Sequence, residues 1–593
     1  MNGEWSLDVL YKGYDDPAFA EDMKRLDECI RQIKELAAEL KESGTKKELS
    51  GKEAVLEVIR LEEEYSLLAR KLSAFARLKH STNTTDAETV KYQNLLRQKD
   101  TEVSKEYVIM NKFLANEPNL EAYMAEDEKL SAYRFMLEEN KAEMTHSLTD
   151  EVEEMYSLMN LTAGGAWRDL FDYLTSTVVV DYQDGQTNLP AIRNLAYDPD
   201  PKVRKEAYAA ELAAYEKIKD PIAFCLNNLK AQVSMLTKKR GYESPLAMTL
   251  EQARMKKETL DALWTAIREY LPKFHAYLRR KAELLGHTNG LPWYDLFAPM
   301  GETSQEFDET SAKEYLLKHF YAFAEDLGDM VKRAFEENWI DFYPHPGKVG
   351  GAFCSNLPAQ KQSRVLTNFD GKLGDVVTLA HELGHAYHGL QIQDHLPLNT
   401  GYSMPVAETA STFNENVIMS AAIADASEED RLVLIESQLQ DVTQIICDIY
   451  SRFLFESEVF ERRQNGFLFA DELKEIMLDA QKQAYGDGLD QTQLHPYMWV
   501  CKGHYYYETR NFYNFPYAFG GLFAKGLYAQ YLKEGKDFLP KYRALLHATT
   551  VSSVEDVAKM AGIDLTQPDF WRSSLALVAE SIEEFLALSE QTH

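Results

Sequence analysis

His381-Glu382-Leu383-Gly384-His385 is an H-E-x-x-H stretch inside a run, Asp375 to Gly389, whose pattern reads as a helix. Four residues make about one helical turn, so both imidazoles leave the same face and two nitrogens can grip one metal ion. Glu382 lies about 100° around the axis from His381, placed to hold a water rather than to act as a ligand. The pattern points to zinc-dependent hydrolysis. Chance can also produce it in a chain with 14 His and 95 acidic residues, so context matters. Asp375 reads as an N-cap and Gly389 as a C-terminal stop, while Val377, Ala380, Gly384 and Tyr387 supply small or apolar neighbours. Such a helix suits burial beside a cleft.

Catalytic zinc takes three protein ligands and keeps one position open. Downstream, Met404-Pro405-Val406-Ala407-Glu408-Thr409-Ala410-Ser411-Thr412-Phe413-Asn414-Glu415 reads as a second helix, with Pro405 in its first turn. Glu408, set among Val406, Ala407 and Ala410, is the expected third ligand, since a half-buried carboxylate is best tolerated beside a cation. Glu415, two turns on, is the competing carboxylate and fits a supporting role better. His388, three residues after His385, is expected to give hydrogen-bonding support.

Around this pair of helices the chain is mainly α. Helical patterns cover about 18–43, 51–80, 86–114, 118–141 and 148–161, with Leu26, Ile30, Ile33 and Leu36, and Val58, Leu61, Tyr65 and Leu68, marking apolar faces. Short connections containing Gly44, Gly51 or Asn83 predict an antiparallel helical layer. Further helices are expected near 202–238, 252–285, 309–337, 427–463, 470–484, 517–533, 553–561 and 568–588. Two exceptions stand out. Thr177 to Val180 with Asp184-Gly185 predicts a hairpin, and Gly350 to Ser355 with Arg364 to Phe369 predicts a small sheet just before the H-E-x-x-H helix. The chain divides into a helical region, 1–195, and a catalytic region, 196–593.

Composition excludes several functions. With 45% hydrophobic and 27% charged residues among 593, a large folded core is expected and disorder is not. A net charge of −31, from 64 basic and 95 acidic residues, suits neither nucleic acid nor anionic membranes as partners. No apolar run reaches membrane-spanning length, and Met1 to Trp5 does not open a secretory signal. Five scattered cysteines, Cys29, Cys225, Cys354, Cys447 and Cys501, read as reduced thiols, so a cytoplasmic setting is expected.

One more segment, His504-Tyr505-Tyr506-Tyr507-Glu508-Thr509-Arg510-Asn511-Phe512-Tyr513-Asn514-Phe515-Pro516-Tyr517, concentrates hydrogen-bond donors. Alone, it reads first as core packing or a peptide-binding wall. Taken with HELGHAYH and MPVAETASTFNE, however, HYYYETRNFYNFPYAFGG closely resembles the oligoendopeptidase F branch of the thimet oligopeptidase family. The agreement is strongest from Gly350 to Gly521 and extends in motif order over about 200–580. The resemblance implies a mainly α, two-lobed zinc metallopeptidase with a small β-sheet beside the H-E-x-x-H helix and a deep substrate channel, cutting internal bonds of short unstructured oligopeptides. It further implies one Zn2+ per chain on His381, His385 and Glu408, and Glu382 as general base activating a zinc-bound water. His504, Tyr517 and, more weakly, Tyr513 become catalytic contacts. Gly350, Gly351 and Ala352 become substrate-binding residues, in a strand where small residues admit a peptide backbone. Two other readings stay open: a catalytically silent peptide-binding protein, and a zinc hydrolase of a non-peptide amide. Oligomeric state and cleavage preference are not legible.

Overall fold

The structure, a computed structural model, describes residues 3–41, 51–301, 303 and 305–591. Helices dominate, as predicted. The first three, Pro17–Lys41, Gly51–Thr82 and Ala87–Asn116, pack side by side and bury the apolar faces read from sequence, including Ile30, Ile33, Val58 and Leu61. Asp86 caps the third through Glu88 N–H. The end of the predicted 18–43 helix and its Gly44 connection lie outside the described residues.

The apolar interior of the described residues forms two cores. One runs from Leu10 to Leu137 and takes in Leu357; the other gathers residues from Phe171 to Phe585. At the centre of the second, helix Leu373–Gln391, the metal helix below, packs on Thr409–Asp425, which leans on Phe515–Glu534 and through it on Pro568–Gln591.

Among the described residues, five short strands complete the fold. β1 (Val180–Tyr182) and β2 (Gly185–Thr187) form the predicted hairpin, but its two-residue turn is Gln183-Asp184. Gly185 pairs with Tyr182, and Gln183 takes the positive φ of 50°. β3 (Ile340–Asp341) pairs parallel with β5 (Gln362–Leu366), and β4 (Phe353–Leu357) pairs antiparallel with β5 from the other side. β4 is therefore an edge strand, and Leu357 at its end enters the N-terminal core.

Several predicted boundaries move, each for a local reason. Asp375 is not the N-cap; the metal helix begins at Leu373, and the Asp375 carboxylate reaches back to accept from the Lys372 and Asp370 N–H groups at 3.0 Å. Gly389 does not stop the helix. A Cβ there would sit 2.6 Å from the Asn356 side chain, so glycine serves close packing against β4. The predicted 404–415 helix breaks at Glu408 (φ −95°, ψ 11°) between Met404–Ala407 and Thr409–Asp425. The 309–337 pattern breaks at Ala324, whose extended backbone folds Glu325–Glu336 back on Glu309–Phe323. Segment 118–141 is three short helices, Leu120–Glu126, Glu128–Ala132 and Arg134–Met144. Among the described residues no helix is long and apolar enough to cross a membrane.

Candidate metal centre

The metal helix and the broken helix beside it bring the predicted ligands together. His381 Nε2 and His385 Nε2 lie 3.3 and 3.2 Å from the same atom, Glu408 Oε2. Ligands about 2.0–2.1 Å from one tetrahedral ion sit about 3.3–3.4 Å apart, so these atoms already have the spacing of a shared cation. The break at Glu408 turns its carboxylate toward the histidines, and Ser411 Oγ donates to Oε2 at 2.6 Å. Two imidazoles and one carboxylate form a zinc-type donor set.

Close backbone approach makes this geometry possible. A Cβ on Gly384 would stand 2.5 Å from both Ala410 O and Ser411 Cα, so only glycine at this turn lets the two helices meet. Asn414 Nδ2 donates to Ala380 O at 3.1 Å, and Asn356 Nδ2 to His385 O at 3.2 Å, fixing the helix from both sides.

Electrostatics follow from the contacts. Burial lowers the proton affinity of His381, but its bonds to Glu408 and Glu415 outweigh this and raise its pKa to about 10. Burial pushes Glu408 upward, while the hydrogen bonds from His381, His385 and Ser411 hold it well below the ordinary carboxylate range. Glu415 accepts from His381 Nδ1, which points Nε2 at the ligand position. Glu382 is 6% exposed, and burial raises its pKa above that of a free glutamate. Its carboxylate lies within 4.8 Å of the His381 and His385 ligand atoms.

His504, Tyr513 and Tyr517 also come together, with ring centroids 5.1 Å apart for His504–Tyr513, 6.1 Å for His504–Tyr517 and 5.6 Å for Tyr513–Tyr517. Burial, then the charges of Arg452, Lys502 and Arg168, lower the His504 pKa to about 4 and keep its ring neutral. Burial and Tyr513 keep the Tyr517 phenol protonated far into alkali, and the Glu408 charge contributes. Gly520 brings the following helix close to Glu408, since a Cβ there would be 3.6 Å from Glu408 Cβ.

Other expectations change. His388 does not support the ligands. It is fully buried, stacks on Tyr402 at 4.3 Å and places Nε2 2.8 Å from Thr549 Oγ1. Gly350 and Gly351 precede the strand instead of lying in it; both are exposed, Gly351 has φ 78°, and Asn368 Nδ2 holds Gly351 O at 2.8 Å. Ala352 lines a cavity of about 1030 Å³ with His381, Glu382, Glu415 and Lys525. A second cavity, about 1310 Å³, is lined by Tyr65 and Arg77 of the N-terminal helices and by Cys354 to Leu357 of the β4 edge. Sequence reading missed Ser411, Asn414, Asn356 and Lys525. Ser411 was reachable, because i+3 spacing places it over Glu408; Asn414 lies in the same segment but shows its role only through its contact with Ala380 O, and Asn356 and Lys525 come from distant segments.

The model of peptidase family M3 matches residues 194–577, and that of oligopeptidase F matches 114–179. Oligopeptidase PepF of Bacillus subtilis is 26% identical over 489 residues, covering 81% of this chain and 72% of that protein. The oligoendopeptidase F homolog of Lactococcus lactis is 25% identical over 618 residues, 99% and 97% of the two chains. The fold matches the crystal structure of oligoendopeptidase-F from Enterococcus faecium with TM-score 0.71 at 21% identity, covering 97% of this chain and 99% of that one. A solved structure from Chlamydophila abortus gives TM-score 0.82 at 19% identity, covering 99% and 98%. With well over half of its length matched to the family and a histidine–carboxylate centre inside that span, the chain belongs to peptidase family M3 and is a metalloendopeptidase.

Proposed function

We propose that this protein is a zinc endopeptidase that hydrolyses internal bonds of short, unstructured oligopeptides, with His381, His385 and Glu408 holding one zinc ion per chain. The observation that carries this reading is the approach of both Nε2 atoms to Glu408 Oε2 at 3.2–3.3 Å, with the Glu382 carboxylate buried alongside. A bound zinc ion supplies Lewis-acid polarisation and a lowered pKa for water. Glu382 accepts the proton of the attacking water on a carboxylate oxygen and returns it to the leaving amide nitrogen. Its raised pKa suits both halves of that transfer. His504, neutral, and Tyr517, protonated, donate hydrogen bonds to the substrate carbonyl oxygen as charge develops there, and Tyr513 orients Tyr517.

The peptide is held in extended form along the free edge of β4, entering past Gly350, Gly351 and Ala352. Both glycines have no heavy atom within 4 Å of a built Cβ, so a second backbone can come close. Regions 1–195 and 196–593 form the two walls of the channel, the cavity lined by Tyr65 and Arg77 from the first and by Cys354 to Leu357 from the second. A peptide library of graded length, read by mass spectrometry, tests this reading. Internal cleavage that depends on peptide length is expected. Removal of terminal residues only, or a rate independent of length, contradicts it.

A further inference from the structure

A second histidine cluster lies at the far end of the metal helix. Asp394 and His395 stand in the turn that follows it, and His547 stands in the last turn of helix Leu539–Ala548. His547 Nε2 is 2.9 Å from His395 Nε2 and 3.3 Å from Asp394 Oδ1. We propose that His395, His547 and Asp394 form a second divalent transition-metal site, separate from the catalytic centre.

Three observations carry this. First, the spacing of 2.9–3.3 Å is close to that of ligands around a tetrahedral ion, and a small rotation of the half-exposed His547 ring opens it the rest of the way. Second, His395 is oriented by its other nitrogen: Nδ1 lies 2.6 Å from Thr550 Oγ1 and 3.3 Å from Asn399 O. The carbonyl can only accept, so Nδ1 carries the proton and the Nε2 lone pair faces His547, the outer-sphere arrangement that prepares an imidazole for a metal. Third, Asp394 Oδ1 adds a carboxylate beside the two imidazole nitrogens, completing a mixed nitrogen–oxygen donor set of the kind that holds a divalent transition metal. Two imidazoles favour zinc, copper or nickel over magnesium or calcium. Asp394 and His547 are exposed and His395 lines the larger cavity, so an ion enters directly from water.

A bound ion here crosslinks the end of the metal helix to the 539–548 helix, next to the buried Thr549 that already meets His388. The test is equilibrium dialysis of the full-length protein against zinc chloride, with zinc counted per chain by atomic emission. His547→Ala is expected to bind one ion fewer than the unaltered chain, His381→Ala to lose a different one, and the double variant to lose both. Equal zinc in His547→Ala and the unaltered chain overturns the site, whatever His381→Ala does. His547 is half exposed, so its truncation leaves no buried cavity.

Discussion

Two carboxylates meet His381 from opposite sides, and their roles separate by which ring nitrogen each takes. Glu408 faces Nε2 with the second histidine, whereas Glu415 takes Nδ1 and so decides the tautomer. Glu415→Gln is expected to keep the fold and weaken zinc binding by about 10–100-fold, read by competition with a chelator. Unchanged affinity would remove Glu415 from the support of the centre. His388 acts on stability instead. Burial and the nearby His385 lower its pKa from 6.5 to about 3 in the folded chain. The unfolded chain therefore binds this proton first as pH falls, and the contribution of His388, complete above pH 6.5, is lost progressively toward pH 3. The slope through this one group is at most about 1.4 kcal/mol per pH unit. Denaturant titrations between pH 6.5 and 4 should show a shallower loss of stability in His388→Gln; an unchanged slope contradicts the assignment.

At the scale of elements, the site depends on two helices touching at Gly384. Gly384→Ala drives a methyl group into Ala410 O and Ser411 Cα, both backbone, and is expected to cost about 1–3 kcal/mol or more while displacing Glu408 from the histidines. Gly374→Ala, in the same helix with nothing within 4 Å, is the control and should be neutral or stabilising by up to about 1 kcal/mol. Similar unfolding midpoints for the two variants would rule out this account of the packing. The H-E-x-x-H helix was legible because its spacing alone places both imidazoles, and the small sheet because its apolar runs lie between turn residues. The break at Glu408 was not, since no glycine or proline marks it and the helical pattern continues through Thr409. Ala324 hides its break in the same way. The neutral state of His504 depends on Arg452, Lys502 and Arg168, which local pattern cannot bring to one place.

Across the whole molecule, the edge of β4 and the metal helix lie where the two cores approach each other, with Leu357 committed to the N-terminal one. Composition does not show where a substrate could sit, and only the folded chain reveals the cavities beside the metal centre and along β4. Ser355, bonded by Arg77 at 2.7 Å, links the N-terminal helices directly to that edge. Arg77→Ala is accordingly expected to raise KM for longer peptides more than for the shortest cleaved ones, with kcat nearly unchanged; equal effects at every length would separate the N-terminal helices from substrate binding. The central claim is that one buried carboxylate moves the proton at a zinc centre built by three other residues. Glu382→Gln, assayed for bound zinc and for cleavage of a quenched peptide in the same preparation, tests it most directly. The account predicts zinc content equal to that of the unaltered protein with turnover lower by about 10²–10⁴-fold. Near-normal turnover with zinc in place would contradict it.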